Sequence, residues 1–235
     1  MTRLLYALPV LLALAVPSAQ EDYPHAFPRT GATKLIDNER VTVWDVTWQN
    51  GVKQPIHRHR YDMAGVYLRW GPITVTRPDG TVNPPTPAWE TPRLLFQPAD
   101  VTHREEALNP PETPERIAIM TDLKYAANEA RPPLKTDPSL PRSFPRQGAK
   151  VMQENERVRF WDYTWTPGAT VRQHVHDTDT VEVFLEGNGE IDSTTPDGKS
   201  TRYKVSFRSV RFVPRGTIDT EVATGAPHAV VVELK

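Results

Sequence analysis

Residues 55–67 read PIHRHRYDMAGVY, and residues 172–184 read RQHVHDTDTVEVF. Each stretch holds two histidines one residue apart in a β-like setting. Residues two apart in a strand face the same way, so His57 with His59, and His174 with His176, can each aim both rings to one side. The intervening Arg58 and Val175 then face away. Paired imidazoles of this kind are the beginning of a metal site, which needs a further ligand from elsewhere in the chain.

Composition narrows what that site can be. There are no cysteines in the 235 residues, which removes disulfides, thiol catalysis, cysteine-ligated zinc and iron–sulfur clusters together. Any metal must be held by His, Asp or Glu. The formal net charge is -1 and the pI near 6.7, with basic and acidic residues interspersed. No electrostatic footprint for nucleic acid or an anionic membrane is present, so a small molecule or another protein is the expected partner.

The elements that must carry the histidines are strands. Proline, 24 against 12 glycines, concentrates in VNPPTPAWETP, LNPPETPE and RPPLKTDPSLPRSFP and breaks the chain too often for long helices. Runs such as RVTVWDVTW, AGVYLRW, RIAIMTDL, VEVFLEG and AVVVEL, separated by turn signals, read as an all-β sandwich or barrel. The two PDG tripeptides predict hairpin turns in which Asp-Gly supplies positive φ angles. The segment LKYAANEA, 123–130, is expected to form one short helix.

The chain also repeats itself. AFPRTGATKLIDNERVTVWDVTWQNGVKQPIHRH, 26–59, aligns without a gap on SFPRQGAKVMQENERVRFWDYTWTPGATVRQHVH, 143–176, with roughly half the positions identical. Further on, FQPADVTH at 96–103 answers FVPRGTID at 212–219. The expected organisation is a signal peptide at 1–20, a first barrel at 21–125, a Pro-rich linker at 126–145 and a second barrel at 146–235. The opening MTRLLYALPVLLALAVPSAQ has the basic start, short apolar core and small-residue end of a secretory leader. It predicts export to a periplasmic or secreted location, with no stable membrane span after cleavage.

These residues resemble the cupin superfamily, and two copies in one chain resemble a bicupin. That family's first motif is a glycine, five residues, His-x-His, three or four residues, a glutamate, six residues and a glycine; its second is Pro-x-Gly, two residues and a histidine. The second half offers Gly168, His174, His176 and Gly187, then Pro214, Gly216 and Asp219; the first offers Gly51, His57, His59 and Gly71, then Pro98, Asp100 and His103. The resemblance implies two tandem jelly-roll-like barrels. It also implies a divalent metal (Fe, Mn or Zn) on His57, His59 and His103, or on His174, His176 and Asp219. Both sets leave coordination positions open to oxygen, water or substrate.

Counted back from the closing glycine, the family's glutamate falls on Ala64 and on Thr180, neither a usual ligand. Glu182 shares strand parity with Thr180 and is the candidate fourth ligand or general base. The matching inward side chains of the first half are expected to be Ala64, Val66 and Leu68, giving a drier pocket. By resemblance the activity would be that of a metal-dependent dioxygenase, isomerase, lyase or hydrolase acting on a small organic molecule. The alternative is a non-catalytic bicupin that binds a small molecule or serves structure, its metal sites degenerate; a third idea is partner docking through the Pro-rich loops at 83–92 and 109–114. A homodimer is left open. Trp44 with Trp48, and Trp161 with Trp165, recur in both halves and are read as packing. Asn38-Glu39-Arg40 and Asn155-Glu156-Arg157 are read as a repeated turn, Arg60, Tyr61 and Asp62 as a loop at the barrel mouth, and His25 and His228 as surface residues.

Overall fold

The computed structural model describes residues 22–85, 87–107, 113–126, 129–186 and 189–235. The expected leader at 1–20 and Gly187 lie outside the described residues, as do parts of the two Pro-rich loops. Among the described residues the chain is all strand, without a helix. The helix expected over 123–130 is absent from its described part, because Leu123 is instead the last residue of a central strand.

The first half contributes β1 (Ala32–Asp37), β2 (Val41–Trp48), β3 (His57–Arg58), β4 (Asp62–Arg69), β5 (Ile73–Thr76), β6 (Val82–Asn83), β7 (Arg93–Gln97), β8 (Thr102–Ala107) and β9 (Arg116–Leu123). The second contributes β10 (Lys150–Glu154), β11 (Val158–Thr164), β12 (Thr170–Val175), β13 (Asp179–Glu186), β14 (Gly189–Thr194), β15 (Ser200–Val205), β16 (Val210–Val213), β17 (Ile218–Thr224) and β18 (His228–Leu234). The first half forms a five-stranded sheet, β1-β2-β9-β4-β7, and a four-stranded sheet, β3-β8-β5-β6. The second repeats this strand for strand as β10-β11-β18-β13-β16 and β12-β17-β14-β15. Even the β-bulge between Lys34 and Ile36 returns between Val151 and Gln153.

Period-two alternation shows how each sequence serves two cores at once. In VTVWDVTW, Trp44, Val46 and Trp48 enter the interior of the first barrel with Met63, Ile73 and Ala107, whereas Val41 and Val43 point the other way. That other face is not wet. Val41, Val43, Ala64, Val66, Leu68, Ile119 and Leu123 pack against Val158, Phe160, Val181, Val183, Val230, Val232 and Leu234, so the two five-stranded sheets are back to back. The central strands RIAIMTDL and HAVVVEL are consequently buried on both faces and mostly apolar.

This corrects one expectation. Ala64, Val66 and Leu68 line the junction between the barrels, and the inward residues of β4 are Met63 and Tyr67. Three residues separate β4 from β5 but only two separate β13 from β14, so counting back from the closing glycine shifts the first half by one position. A one-residue shift exchanges the faces of a strand. Met63, and not Ala64, is the counterpart of Thr180.

The repeated Asn-Glu-Arg turn locks the halves together. Asn38 Oδ1 accepts the N–H groups of Arg40 (2.8 Å) and Val41 (2.9 Å), and Asn155 Oδ1 does the same for Arg157 (2.8 Å) and Val158 (2.9 Å). Arg40 then reaches across to Asp179 (3.2 Å) while Arg157 reaches back to Asp62 (2.7 Å). This reciprocity is the signature of a two-fold interface, here within one chain. It removes Asp62 from the barrel mouth, since Arg60, Tyr61 and Asp62 lie beside Tyr125 and Arg157 at the junction. His25 is partly buried against Asp122 (3.2 Å), and His228, which opens β18, binds Asp162 (2.6 Å). In the PDG turns the glycine alone takes the left-handed conformation, at φ 85° for Gly80 and 83° for Gly198.

Candidate metal centre

His57 lies on β3 opposite His103 on β8 in antiparallel register, and His174 on β12 lies opposite Asp219 on β17. Each His-x-His pair therefore meets its third residue across one strand pair. Asp100 is left-handed at φ 67°, as Gly216 is at 90°, so the turn before β8 keeps its shape without the glycine. The structure thus gathers His57, His59 and His103 into one group and His174, His176 and Asp219 into another, each with ligand atoms converging closely enough to hold a metal ion.

In the first barrel the three imidazole centroids stand 5.0–5.2 Å apart, and His59 Nε2 is 3.3 Å from His103 Nε2. His57 Nδ1 donates to the Pro55 carbonyl (3.0 Å), which fixes the tautomer and leaves the Nε2 lone pair inward. That Nε2 is buried without a hydrogen-bond partner. Burial, with smaller contributions from neighbouring positive charge, pushes His57 down to about 4 and His59 down to about 3. Both are neutral, the form that binds metal, throughout the neutral range. An orphaned inward lone pair among neutral imidazoles fits a divalent cation.

A residue that sequence reasoning missed completes this group. Glu105, two positions after His103 on β8, brings one carboxylate oxygen to 3.4 Å from His57 Nε2 and the other to 3.4 Å from His103 Nε2. Arg29 grips the same carboxylate at 2.6 Å. Burial works to raise the Glu105 pKa, but Arg29 and the histidines outweigh it and hold the group well below the usual carboxylate range. The signals were available: Glu105 has the strand parity of His103, and Arg29 stands in the FPR of the repeat.

The second barrel uses the equivalent residues differently. His174 Nδ1 donates to the Arg172 carbonyl (2.8 Å), so its Nε2 also points inward, but Arg146, the counterpart of Arg29, donates to that nitrogen at 2.8 Å. His174 Nε2 and His176 Nε2 lie 3.2 and 3.7 Å from Asp219 Oδ1. Ser193 donates to the other Asp219 oxygen. Glu182 faces the interior as expected, yet both of its oxygens are held by Arg211 (2.6 and 2.7 Å), which also binds Glu221 at 2.5 Å. Arg146 closes the chain on Glu221 at 2.5 Å. Glu182 is therefore a committed ion-pair partner rather than an open general base.

One cross-strand pair explains the contrast. Gly65 faces Leu95 between β4 and β7, where the second barrel has Glu182 facing Arg211 between β13 and β16. Glycine and leucine bring no charge, the Met120 thioether stands over Gly65 in place of a carboxylate, and a cavity of about 220 Å³ lies beside Leu95 in the first barrel. His59, His103, Glu105, Trp48 and Arg116 are among the residues that line it.

No protein-family model and no curated protein sequence matches the chain. Solved structures do. A cupin 2 conserved barrel domain protein from Leptotrichia buccalis shares 11% identity over 87% of this chain and 88% of its own, with a TM-score of 0.51. The chain has the cupin fold, twice over. AerE from Microcystis aeruginosa aligns at 11% identity over 91% of this chain and 98% of its own, with a TM-score of 0.54. An oxalate decarboxylase with Mn(II) centres from Bacillus subtilis aligns at 14% identity over 83% and 68% of the two chains, with a TM-score of 0.50. At these identities the likeness is one of cupin fold.

Proposed function

We propose that this is an exported, metal-dependent bicupin that acts on a small organic molecule in its first barrel, with the second barrel retained for structure. The observation that carries the reading is the unpartnered His57 Nε2 among three converging imidazoles beside a cavity. His57, His59 and His103 would hold the metal, and Glu105 is placed either to join them or to take a proton beside them. A divalent metal such as Mn or Fe, when bound, supplies Lewis-acid or redox chemistry at its open positions. Arg29 keeps Glu105 ionised and oriented, and the apolar wall formed by Met63, Leu95 and Met120 excludes water. A dioxygenase-like reaction is the activity to screen first. The Mn(II) oxalate decarboxylase of the same fold supports including manganese among the metals tried.

The non-catalytic alternative is favoured for the second barrel alone, because Arg146 occupies the lone pair of His174. The test is metal content per chain on protein from residue 21 onward, purified without tag or chelator. Near-stoichiometric metal that His57→Ala with His59→Ala abolishes, and His174→Ala with His176→Ala leaves, is the expected result. No metal after loading with Mn(II), Fe(II) and Zn(II) would overturn the reading. Export is checked separately by N-terminal sequencing of protein recovered outside the cytoplasm.

A further inference from the structure

The cavity of the first barrel is lined by hydrogen-bond donors that have nothing to bond. Arg116 Nη2, Trp48 Nε1 and Gln97 Nε2 are all buried without a partner, and all three residues line the cavity. Arg116 and Trp48 are direct cross-strand neighbours on β9 and β2. Arg116 is 5% exposed and has no acidic partner among the described residues. Its Nε is spent on the Gly71 carbonyl (2.7 Å), and its guanidinium stands 5.5–5.9 Å from the ring centres of Trp48, Tyr67 and Trp89. Guanidinium does not lose its proton in proteins, so this is a buried cation without a direct ion-pair partner among the described residues. Tyr67 does not supply one, because burial pushes its hydroxyl above the usual value. Glu105 attracts it only from a distance, its carboxylate being gripped by Arg29.

The second barrel shows what these positions bind when the protein provides it. Trp165, the counterpart of Trp48, donates its Nε1 to the carboxylate of Glu221 at 3.1 Å. The first barrel keeps the counterpart of Glu221 as Glu105 but turns it onto Arg29, His57 and His103, so Trp48 Nε1 is left without a carboxylate, and it places Arg116 where the second has Pro227, next to Trp165 through the Trp165 N–H bond to the Pro227 carbonyl. A second carboxylate, beyond that of Glu105, is the natural complement of an indole N–H beside a guanidinium with no ion-pair partner.

We propose that the first barrel binds a small monocarboxylate with an apolar body, its carboxylate taken by Arg116 and Trp48. This names the substrate class of the site described above and rests on that reading for its chemistry, though not for its binding. Room for about seven waters at ~30 Å³ each limits the ligand to a short aliphatic or single-ring acid. The walls from Met63, Ile73, Leu95 and Met120 suit an uncharged body and disfavour a second carboxylate.

The experiment compares butyrate and benzoate with butyramide and benzamide by calorimetry, on protein loaded with Mn(II) and on protein stripped by chelator. Nuclear magnetic resonance follows the indole N–H that disappears in Trp48→Phe. The expected result is at least tenfold tighter binding of each acid than of its amide in both preparations, with a shift of the Trp48 indole signal. Arg116→Gln should abolish the preference and Trp48→Phe reduce it several-fold. Equal binding of acid and amide, or no binding of either, overturns the proposal on wild-type protein alone, whatever the folding of the variants. A preference confined to metal-loaded protein and kept by Arg116→Gln would also overturn it, since the carboxylate would then sit on the metal. Absence of metal with the acid preference intact would instead fail the functional reading and leave this one standing.

Discussion

Replacing Arg211 tests whether the second barrel is held by the ion cluster that fills it. Arg211 is 4% exposed and binds Glu182 and Glu221, both 0% exposed. Glu221 keeps Arg146 at 2.5 Å when Arg211 is removed, but Glu182 loses both of its contacts, of 2.6 and 2.7 Å. Arg211→Ala therefore strands one buried carboxylate, which costs about 3–5 kcal/mol. For a chain of this size that is a fall in melting temperature of about 10–15 °C. The stranded Glu182 escapes part of the penalty by protonating, so its folded pKa rises above its unfolded value. The folded variant then keeps the neutral form up to that raised pKa, so the penalty is least at low pH and develops as pH rises above the ordinary carboxylate range. The deficit against wild type should be smallest near pH 5 and grow toward pH 8. Arg211→Met with Glu182→Leu, which removes both charges, should recover most of the loss. Thermal and urea unfolding at the two pH values measure this, with metal content of the first barrel followed in parallel. A deficit below about 1 kcal/mol, or one that shrinks as pH rises, would refute the reasoning.

Three further outcomes follow from the same geometry. Burial holds His57 at about 4 and His59 at about 3, so protonation opposes folding. Chelated protein should be fully supported above pH 6.5 and lose on the order of 2 kcal/mol per histidine by pH 5, a slope that His57→Gln with His59→Gln flattens in urea titrations. Between the barrels, Arg157→Ala should cost about 3 kcal/mol, because Asp62 has no second cation within reach among the described residues. Arg40→Ala should cost about 1 kcal/mol, because Arg131 also holds Asp179 at 2.9 Å. Gly65→Glu with Leu95→Arg transplants the ion pair of the second barrel into the first. The double variant should fold and lose small-molecule binding, while Gly65→Glu alone should be strongly destabilised as a buried unpaired charge.

The duplication, the all-β class and the third member of each histidine cluster were legible because each rests on a local pattern that recurs: the FPR, NERV and His-x-His phrases, and the matched turns before His103 and Asp219. The facing of β4 was not, because a single-residue difference in one connection reverses which side chains look inward, and no composition signal marks it. Glu105 was hidden by attention to the place where a family glutamate belongs, when strand parity with His103 already put it in the barrel. Arg116 left no trace in the repeat at all. Its counterpart is a proline, so the comparison that finds the other residues passes over it.

The same comparison explains how one sequence, written twice, comes to hold two different interiors. Both copies must keep the outward valines and the crossed Arg40–Asp179 and Arg157–Asp62 pairs, since each barrel covers the other's exposed sheet. The inward positions carry no such reciprocal constraint. In the second copy Glu182, Arg211 and Glu221 satisfy one another, Arg146 turns onto His174, and the space closes. In the first, Gly65 and Leu95 provide no charge, Arg29 is left to a single partner in Glu105, and Trp48 and Arg116 keep donors aimed at an open cavity. Burying those donors unpaired is unfavourable for the folded chain by itself. It becomes intelligible if a ligand completes them, with the second barrel supplying the stability that such a site gives up.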